Sequence, residues 1–181
     1  VAHHRQVRRF AAAGHALFDG LEQTTPALAR DAVHVGFAGH LHLRNYSKLR
    51  GLKVDLVAIC SIDADLPSVA KTYGIPDYYD DHRRILERKD IDAVDLCIST
   101  DLHEKFCVET AQARKHIMCE KPLTGYFGKD RKEEHVGSTV SKELMLHETL
   151  QGCDRVAKAV AENNVKFMVA ENWIYSPPLA K

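Results

Sequence analysis

The chain has 181 residues, of which 45% are hydrophobic and 28% charged, and its 25 Lys+Arg balance its 25 Asp+Glu to a formal net charge of zero. Such values exclude disorder throughout and predict one well-buried domain, with no room for a complete second one. Without a basic excess there is little pull toward nucleic acid or an anionic membrane, and no stretch approaches the ~20 apolar residues that cross a bilayer.

Residues 1–31 match nothing that follows and read as an N-terminal extension. Arg8-Arg9-Phe10-Ala11-Ala12-Ala13 has the outline of a twin-arginine export signal. His15 and Asp19 interrupt the apolar run such a signal needs, so a helical or poorly structured leader is the simpler reading. From Asp31 the pattern becomes regular. Ala32-Val33-His34-Val35-Gly36-Phe37-Ala38 predicts a strand, followed by glycine and a helical stretch near 45–50. Val54–Cys60 predicts a second strand, and the helix after it has Pro67 in its first turn and Gly74 just past its end.

Asp80 or Asp81 is placed to cap a short helix that turns Ile85 and Leu86 inward. Residues 93–98 predict a third strand, and a helix runs over 102–113. Residues 115–119 form the strand that delivers Glu120-Lys121-Pro122, and 125–138 read as an exposed loop. In the long helix beyond, Leu146, Leu150, Cys153, Ala157 and Val160 make one apolar stripe. Gly152 inside that helix costs about 1 kcal/mol relative to alanine. Residues 165–170 predict a last strand.

Strands that are short apolar runs, alternating with helices, imply an α/β fold with a doubly wound parallel sheet covered on both faces. In such a sheet ligands sit beyond the carboxyl ends of the strands, and every candidate motif here lies at one of those ends. The five cysteines are an odd number, and Cys60, Cys97 and Cys119 fall inside apolar runs. Buried unpaired thiols suit a reducing compartment, so a cytoplasmic location is expected.

The first strand-to-helix turn reads Gly36-Phe37-Ala38-Gly39-His40-Leu41-His42-Leu43-Arg44. A dinucleotide loop wants three glycines, for the tight turn, for backbone approach to the pyrophosphate and for helix packing. Counted from Gly39, the second and third places hold Leu41 and Arg44; with Gly39 second, the outer places hold Phe37 and His42. Gly36, Gly39, His40 and Leu41 are the candidate phosphate-side residues. The second strand ends in Cys60-Ser61-Ile62-Asp63, where Ser61 and Asp63 are candidates for the ribose hydroxyls. Serine there removes a charge that repels a 2′-phosphate, but no arginine stands beside it to hold one, so NAD and NADP both remain open. Ser99, Thr100 and His103 follow the third strand, and Glu120 and Lys121 the next. Lysine suits removal of a hydroxyl proton while hydride leaves the same carbon, and proline fixes the strand exit. The alternative for Glu120-Lys121 is a surface ion pair. His40-x-His42 and His3-His4 have no further ligand at metal spacing, and no metal is expected.

On Gly74-Ile75-Pro76, Asp92-Ala93-Val94, Ser99-Thr100, His103, Lys115-His116, Cys119-Glu120-Lys121-Pro122-Leu123 and Asn172-Trp173-x-Tyr175-x-Pro177, the chain resembles the N-terminal half of a Gfo/Idh/MocA-family oxidoreductase. The resemblance runs from about Ala32 to Pro177. It implies a dinucleotide-binding domain over 32–172, with 173–181 opening a second, substrate-contacting domain whose remainder the chain lacks. It also implies NAD or NADP as cofactor and a sugar, polyol or related hydroxy compound as substrate. Lys121 is then the residue at the reacting hydroxyl, Glu120 its support near the nicotinamide ribose, and Asn172 a further cofactor contact. A cis Lys121-Pro122 bond fits the resemblance, and oligomers would form only through the missing domain. The chain departs from the family in its glycine loop, in a Thr100–His103 segment two residues short, and at Ile174. A non-catalytic nucleotide-binding or regulatory module of the same fold is the competing reading, and a truncated reading frame a third.

Overall fold

The computed structural model describes residues 8–14, 36–49, 54–128 and 135–171. Among them six strands form one parallel sheet: β1 (Arg8–Gly14), β2 (Val54–Cys60), β3 (Asp77–Tyr79), β4 (Ala93–Cys97), β5 (His116–Glu120) and β6 (Phe167–Ala170). Their order in space is β3-β2-β1-β4-β5-β6. This is the doubly wound Rossmann order, in which the sheet reverses direction of growth between β1 and β4 and opens a crevice at their carboxyl ends. The helices are α1 (Phe37–Tyr46), α2 (Leu66–Tyr73), α3 (Arg83–Glu87), α4 (Thr100–Gln112), α5 (Val136–Thr139) and α6 (Lys142–Glu162). No helix among the described residues is long and apolar enough to cross a membrane.

Local chemistry explains most boundaries. α2 carries Pro67 in its first turn and stops at Gly74, whose φ of +66° is left-handed backbone that glycine adopts without strain. The N-cap of α3 is His82, with no side-chain cap bond, rather than Asp80 or Asp81 as expected; Asp81 Oδ1 accepts the Arg83 N–H at 3.0 Å from outside the helix, and Ile85 is buried beneath it. Ser141 caps α6 by accepting the Leu144 N–H.

Two helical layers cover the sheet. On one face Phe106, Leu102, Cys107 and Ala111 of α4 and Val156 and Ala159 of α6 close over Val94, Leu96, Ile117 and Cys119. On the other, Leu43 of α1 and Leu66, Val69 and Ala70 of α2 pack on Ile59. Adjacent strand residues serve opposite faces, as the two-residue period of a strand requires.

Four expectations are corrected. The strand expected over 32–38 is not found: Phe37 and Ala38 open α1, and 32–35 lie outside the described residues. Its place between β2 and β4 is taken by Arg8–Gly14, read from sequence as part of a leader. Alanine favours helix in isolation, but a short apolar run between two parallel partners gains strand pairing on both sides. The helix expected near 45–50 begins at Phe37 and has ended by Tyr46. In α6 the expected stripe is rotated: Leu146 and Leu150 are 60% and 54% exposed, while Gly152, Val156 and Ala159 face the core. Small residues let α6 approach α4 closely, and a methyl at Gly152 would stand 2.7 Å from Glu104 Oε2. The short β3 went unread because three residues carry too little periodicity to see.

Candidate functional site

At the carboxyl ends of the strands lies an open cleft of about 610 Å³, lined by Phe37 and Ala38 of α1, by Cys97 to Asp101, and by Glu120 and Lys121. Of the residues singled out from sequence, it brings together Ser99, Thr100, Glu120 and Lys121. α1 points its first turn at this cleft. Its N-cap is Gly36, with no side-chain cap and no acid in the first turn. The amides of a first helical turn have no acceptor within their own helix, so they suit an anion, and the helix dipole favours one there. A dinucleotide pyrophosphate fits such a seat.

The other glycine-segment residues lie elsewhere. The His40 N–H donates to the Gly36 carbonyl at 3.0 Å, so this stretch is helix rather than phosphate loop. Gly39 is buried inside α1. His40 turns toward α2, with Nδ1 3.4 Å from the Tyr73 hydroxyl. Leu41 lines a separate cleft with Met118 and Met168. At the end of β2, the buried Ser61 hydroxyl donates to Asp63 Oδ2 at 2.8 Å and accepts the Asp63 N–H at 3.1 Å. Ser61 thus orients the aspartate instead of presenting its hydroxyl at the surface.

His103 is 1% exposed, with Nδ1 2.8 Å from the Pro122 carbonyl and Nε2 3.0 Å from the Ile98 carbonyl. Both ring nitrogens are occupied, so it ties α4 to the Lys121-Pro122 exit and does not line the cleft. Lys115, part of the motif that suggested the family, likewise serves the fold: its buried Nζ donates to the Ile91 carbonyl at 3.2 Å and to that of Arg88. Burial pushes the Lys115 ammonium below its usual pKa range. Asn172 and the motif through Pro177 lie outside the described residues.

Glu120 and Lys121 stand at the rim. The peptide bond between Lys121 and Pro122 is cis, as the resemblance implies. Glu120 Oε2 accepts the backbone N–H of Lys121 at 2.9 Å, and Glu120 Oε1 lies 3.1 Å from Nε2 of His42. The glutamate therefore turns toward α1 rather than pairing with the Lys121 ammonium. His42 Nδ1 in turn meets Asp95 Oδ2 at 2.8 Å, and the Tyr46 hydroxyl donates to the same oxygen at 2.8 Å. Cys97 Sγ lies 3.3 Å from His42 Nδ1 and 3.6 Å from Asp95 Oδ1.

Sequence reading missed this cluster. His42 and Tyr46 are one helical turn apart on α1, and Asp95 and Cys97 share one face of β4, so two short elements present four polar groups to each other. Burial alone lowers the His42 pKa, but the hydrogen bond and charge of Asp95, with those of Glu120, outweigh it and hold the imidazole above its usual value. Burial first, then Asp95, pushes the Tyr46 hydroxyl and the Cys97 thiol up. One sequence signal was present: a wholly buried aspartate in the middle of an apolar strand needs partners from another element.

A profile described as an oxidoreductase family with an NAD-binding Rossmann fold matches residues 33–132. An uncharacterised oxidoreductase of Bacillus subtilis is 35% identical over 101 residues, 55% of this chain and 29% of the relative. Myo-inositol 2-dehydrogenase of Thermotoga maritima is 31% identical over 93 residues, 51% of this chain and 27% of the relative. These matches span less than a third of each relative's length. Among solved structures, levoglucosan dehydrogenase in complex with NADH superimposes with a TM-score of 0.67 at 22% identity, covering 97% of this chain and 37% of that one. The apo scyllo-inositol dehydrogenase of Lactobacillus casei gives 0.66 at 17% identity, over 95% of this chain and 39% of the other. At such identities the structural likeness concerns the fold.

Proposed function

The chain belongs to the Gfo/Idh/MocA oxidoreductase family, whose NAD-binding Rossmann fold it carries, and on that premise we propose that it is the cofactor-binding part of a dehydrogenase acting on a hydroxyl of a sugar or polyol. The observation that carries this reading is Lys121 at the rim of the cleft, one residue beyond β5. NAD bound in the cleft would supply the hydride chemistry. The chain's own groups handle position and proton. The first-turn amides of α1 take the pyrophosphate, and Ser99 and Thr100 border the same cleft. In the oxidative direction Lys121 Nζ receives the hydroxyl proton, which is general base work. Glu120 holds the Lys121 backbone through the 2.9 Å hydrogen bond and is itself fixed by His42. Asp63, oriented by Ser61, favours NAD over NADP, because a carboxylate accepts from ribose hydroxyls and repels a 2′-phosphate. Relatives named for myo-inositol and levoglucosan support a polyol or sugar as the substrate class.

A second reading, a nucleotide-binding module without turnover, is favoured by one feature: residues 36–44, where the family keeps its glycine loop, lie largely in helix. Titration of the chain with NADH, followed by nucleotide fluorescence, comes first, and absence of saturable binding defeats both readings. This part alone is expected to be inactive, so turnover of myo-inositol or levoglucosan with NAD by a form that also carries the substrate-contacting domain then separates them. The dehydrogenase reading expects Lys121→Met to keep NADH binding and to lower kcat by about 10²–10⁴. Binding with no turnover of any polyol leaves the module.

A further inference from the structure

We propose that His42, Asp95 and Cys97 form a binding site for a single tetrahedral divalent cation of the zinc class. The three ligand atoms come from α1 and β4 and lie within 4.8 Å of one another. With metal–ligand bonds of about 2.0–2.3 Å, the edges of a tetrahedral site measure roughly 3.3–3.7 Å. The Cys97 Sγ to His42 Nδ1 and Cys97 Sγ to Asp95 Oδ1 separations, 3.3 and 3.6 Å, already have that length. His42 Nδ1 now bonds the other carboxylate oxygen, Oδ2, at 2.8 Å; the cation takes Oδ1, leaves Oδ2 to the Tyr46 hydroxyl and displaces the proton of that hydrogen bond.

The surroundings are those of a metal ligand set. A ligating histidine usually donates its other ring N–H to a carboxylate, and His42 Nε2 stands 3.1 Å from Glu120 Oε1. A ligating carboxylate is usually held by a further donor, and the Tyr46 hydroxyl donates to Asp95 Oδ2. One sulfur, one imidazole and one carboxylate suit zinc or cobalt(II) and not magnesium or calcium, which take oxygen. Asp95 is wholly buried, whereas the His42 side chain is 15% exposed. Cys97 and Glu120 also line the large cleft, which provides a way in.

Charge balances as well. Both nitrogens of His42 face carboxylate oxygens. Coordination needs a bare Nδ1 and a thiolate, so the incoming divalent cation displaces the proton shared between His42 Nδ1 and Asp95 and the one on Cys97 Sγ. Two protons leave as two positive charges enter, so binding adds no charge to the interior. Water completes the fourth position. The bound ion staples α1 to β4 directly beneath Glu120.

Cobalt(II) titration of the full chain tests this. We expect one ion per chain, a near-ultraviolet sulfur-to-cobalt charge-transfer band, intense tetrahedral visible bands and about two protons released per ion near neutral pH. Cys97→Ser abolishes the charge-transfer band and weakens binding at least tenfold, while Cys153→Ser, outside the cluster, changes neither. X-ray absorption of the zinc-loaded, unsubstituted chain reads one sulfur among the ligands, which holds the question open to measurement even if Cys97→Ser fails to fold. Absence of saturable binding, a band that survives Cys97→Ser, or a zinc shell without sulfur overturns the proposal and leaves a hydrogen-bonded cluster alone.

Discussion

On one face of the sheet Phe106, Leu102 and Val156 close over Val94, Leu96 and Ile117; on the other, His42 and Tyr46 reach across to Asp95 and Glu120. The same strands serve both, since Val94 and Leu96 alternate with Asp95 and Cys97 along β4. The first face is cohesive through apolar area and close fit, which depend little on pH or salt. The second is joined through directional bonds between groups that are costly to bury unpaired. Removing a residue from the first leaves a cavity; removing one from the second leaves orphaned charge. The second face is also the one that leads to Glu120 and Lys121, so the site rests on the more delicate construction.

The sharpest test of the apolar face is Phe106→Ala. This side chain is 1% exposed and its ring packs 4.3 Å from that of His82. We expect a loss of about 3–5 kcal/mol in urea unfolding, with NADH affinity unchanged wherever the variant remains folded. Asp95→Ala probes the polar face. It removes the carboxylate that the Tyr46 hydroxyl and His42 Nδ1 share, and we expect about 3 kcal/mol, the low end for breaking a buried pair because Glu120 and some solvent still reach His42. Unlike the first variant, it should also weaken NADH binding. Equal effects on binding from both variants would refute the division between the faces.

A smaller effect comes with pH. Burial, with Asp81 and Asp80 nearby, pushes the Cys60 thiol up to about 12 from a usual value of 9.0. The folded chain keeps this proton where the unfolded chain gives it up. Its contribution is therefore full below about pH 9 and is lost as pH rises toward 12. Urea midpoints at about pH 8 and about pH 10.5 should show the decline, and Cys60→Ala should flatten it. Smallest of all is Gly152→Ala. The methyl meets the movable end of Glu104, whose carboxylate pairs with Arg155. A helix-propensity gain of about 1 kcal/mol is offset by loss of that exposed pair and some packing, so the net change stays within about 1 kcal/mol. A loss several times larger would mean the α4–α6 contact is tighter than its small residues suggest.

The apolar face was largely legible in the sequence. β2 runs over the residues expected of it, and β4, α4, β5 and β6 begin and end within a few residues of their expected limits. Runs of valine, isoleucine and leucine bounded by Pro67, Gly74 and paired aspartates carry periodicity and punctuation that local chemistry enforces. The exit Glu120-Lys121-Pro122 was legible for the same reason, being fixed by its own strand. The rotated stripe of α6 was not. Leu146 and Leu150 have the spacing of a buried face, but which face turns inward is chosen by how closely α4 can approach, and Gly152 and Ala159 permit the closer fit.

By itself the sequence determined the fold class, the alternation of elements and the lysine at a strand exit, because each follows from the order of apolar and turn-forming residues along a few neighbours. The tertiary structure alone decided that Arg8–Gly14 fills the centre of the sheet, that His103 and Lys115 brace backbone carbonyls, and that His42, Tyr46, Asp95, Cys97 and Glu120 converge. Those residues are separated by as many as 78 positions. No local pattern encodes their meeting; it arises when burial forces polar groups from distant elements to satisfy one another.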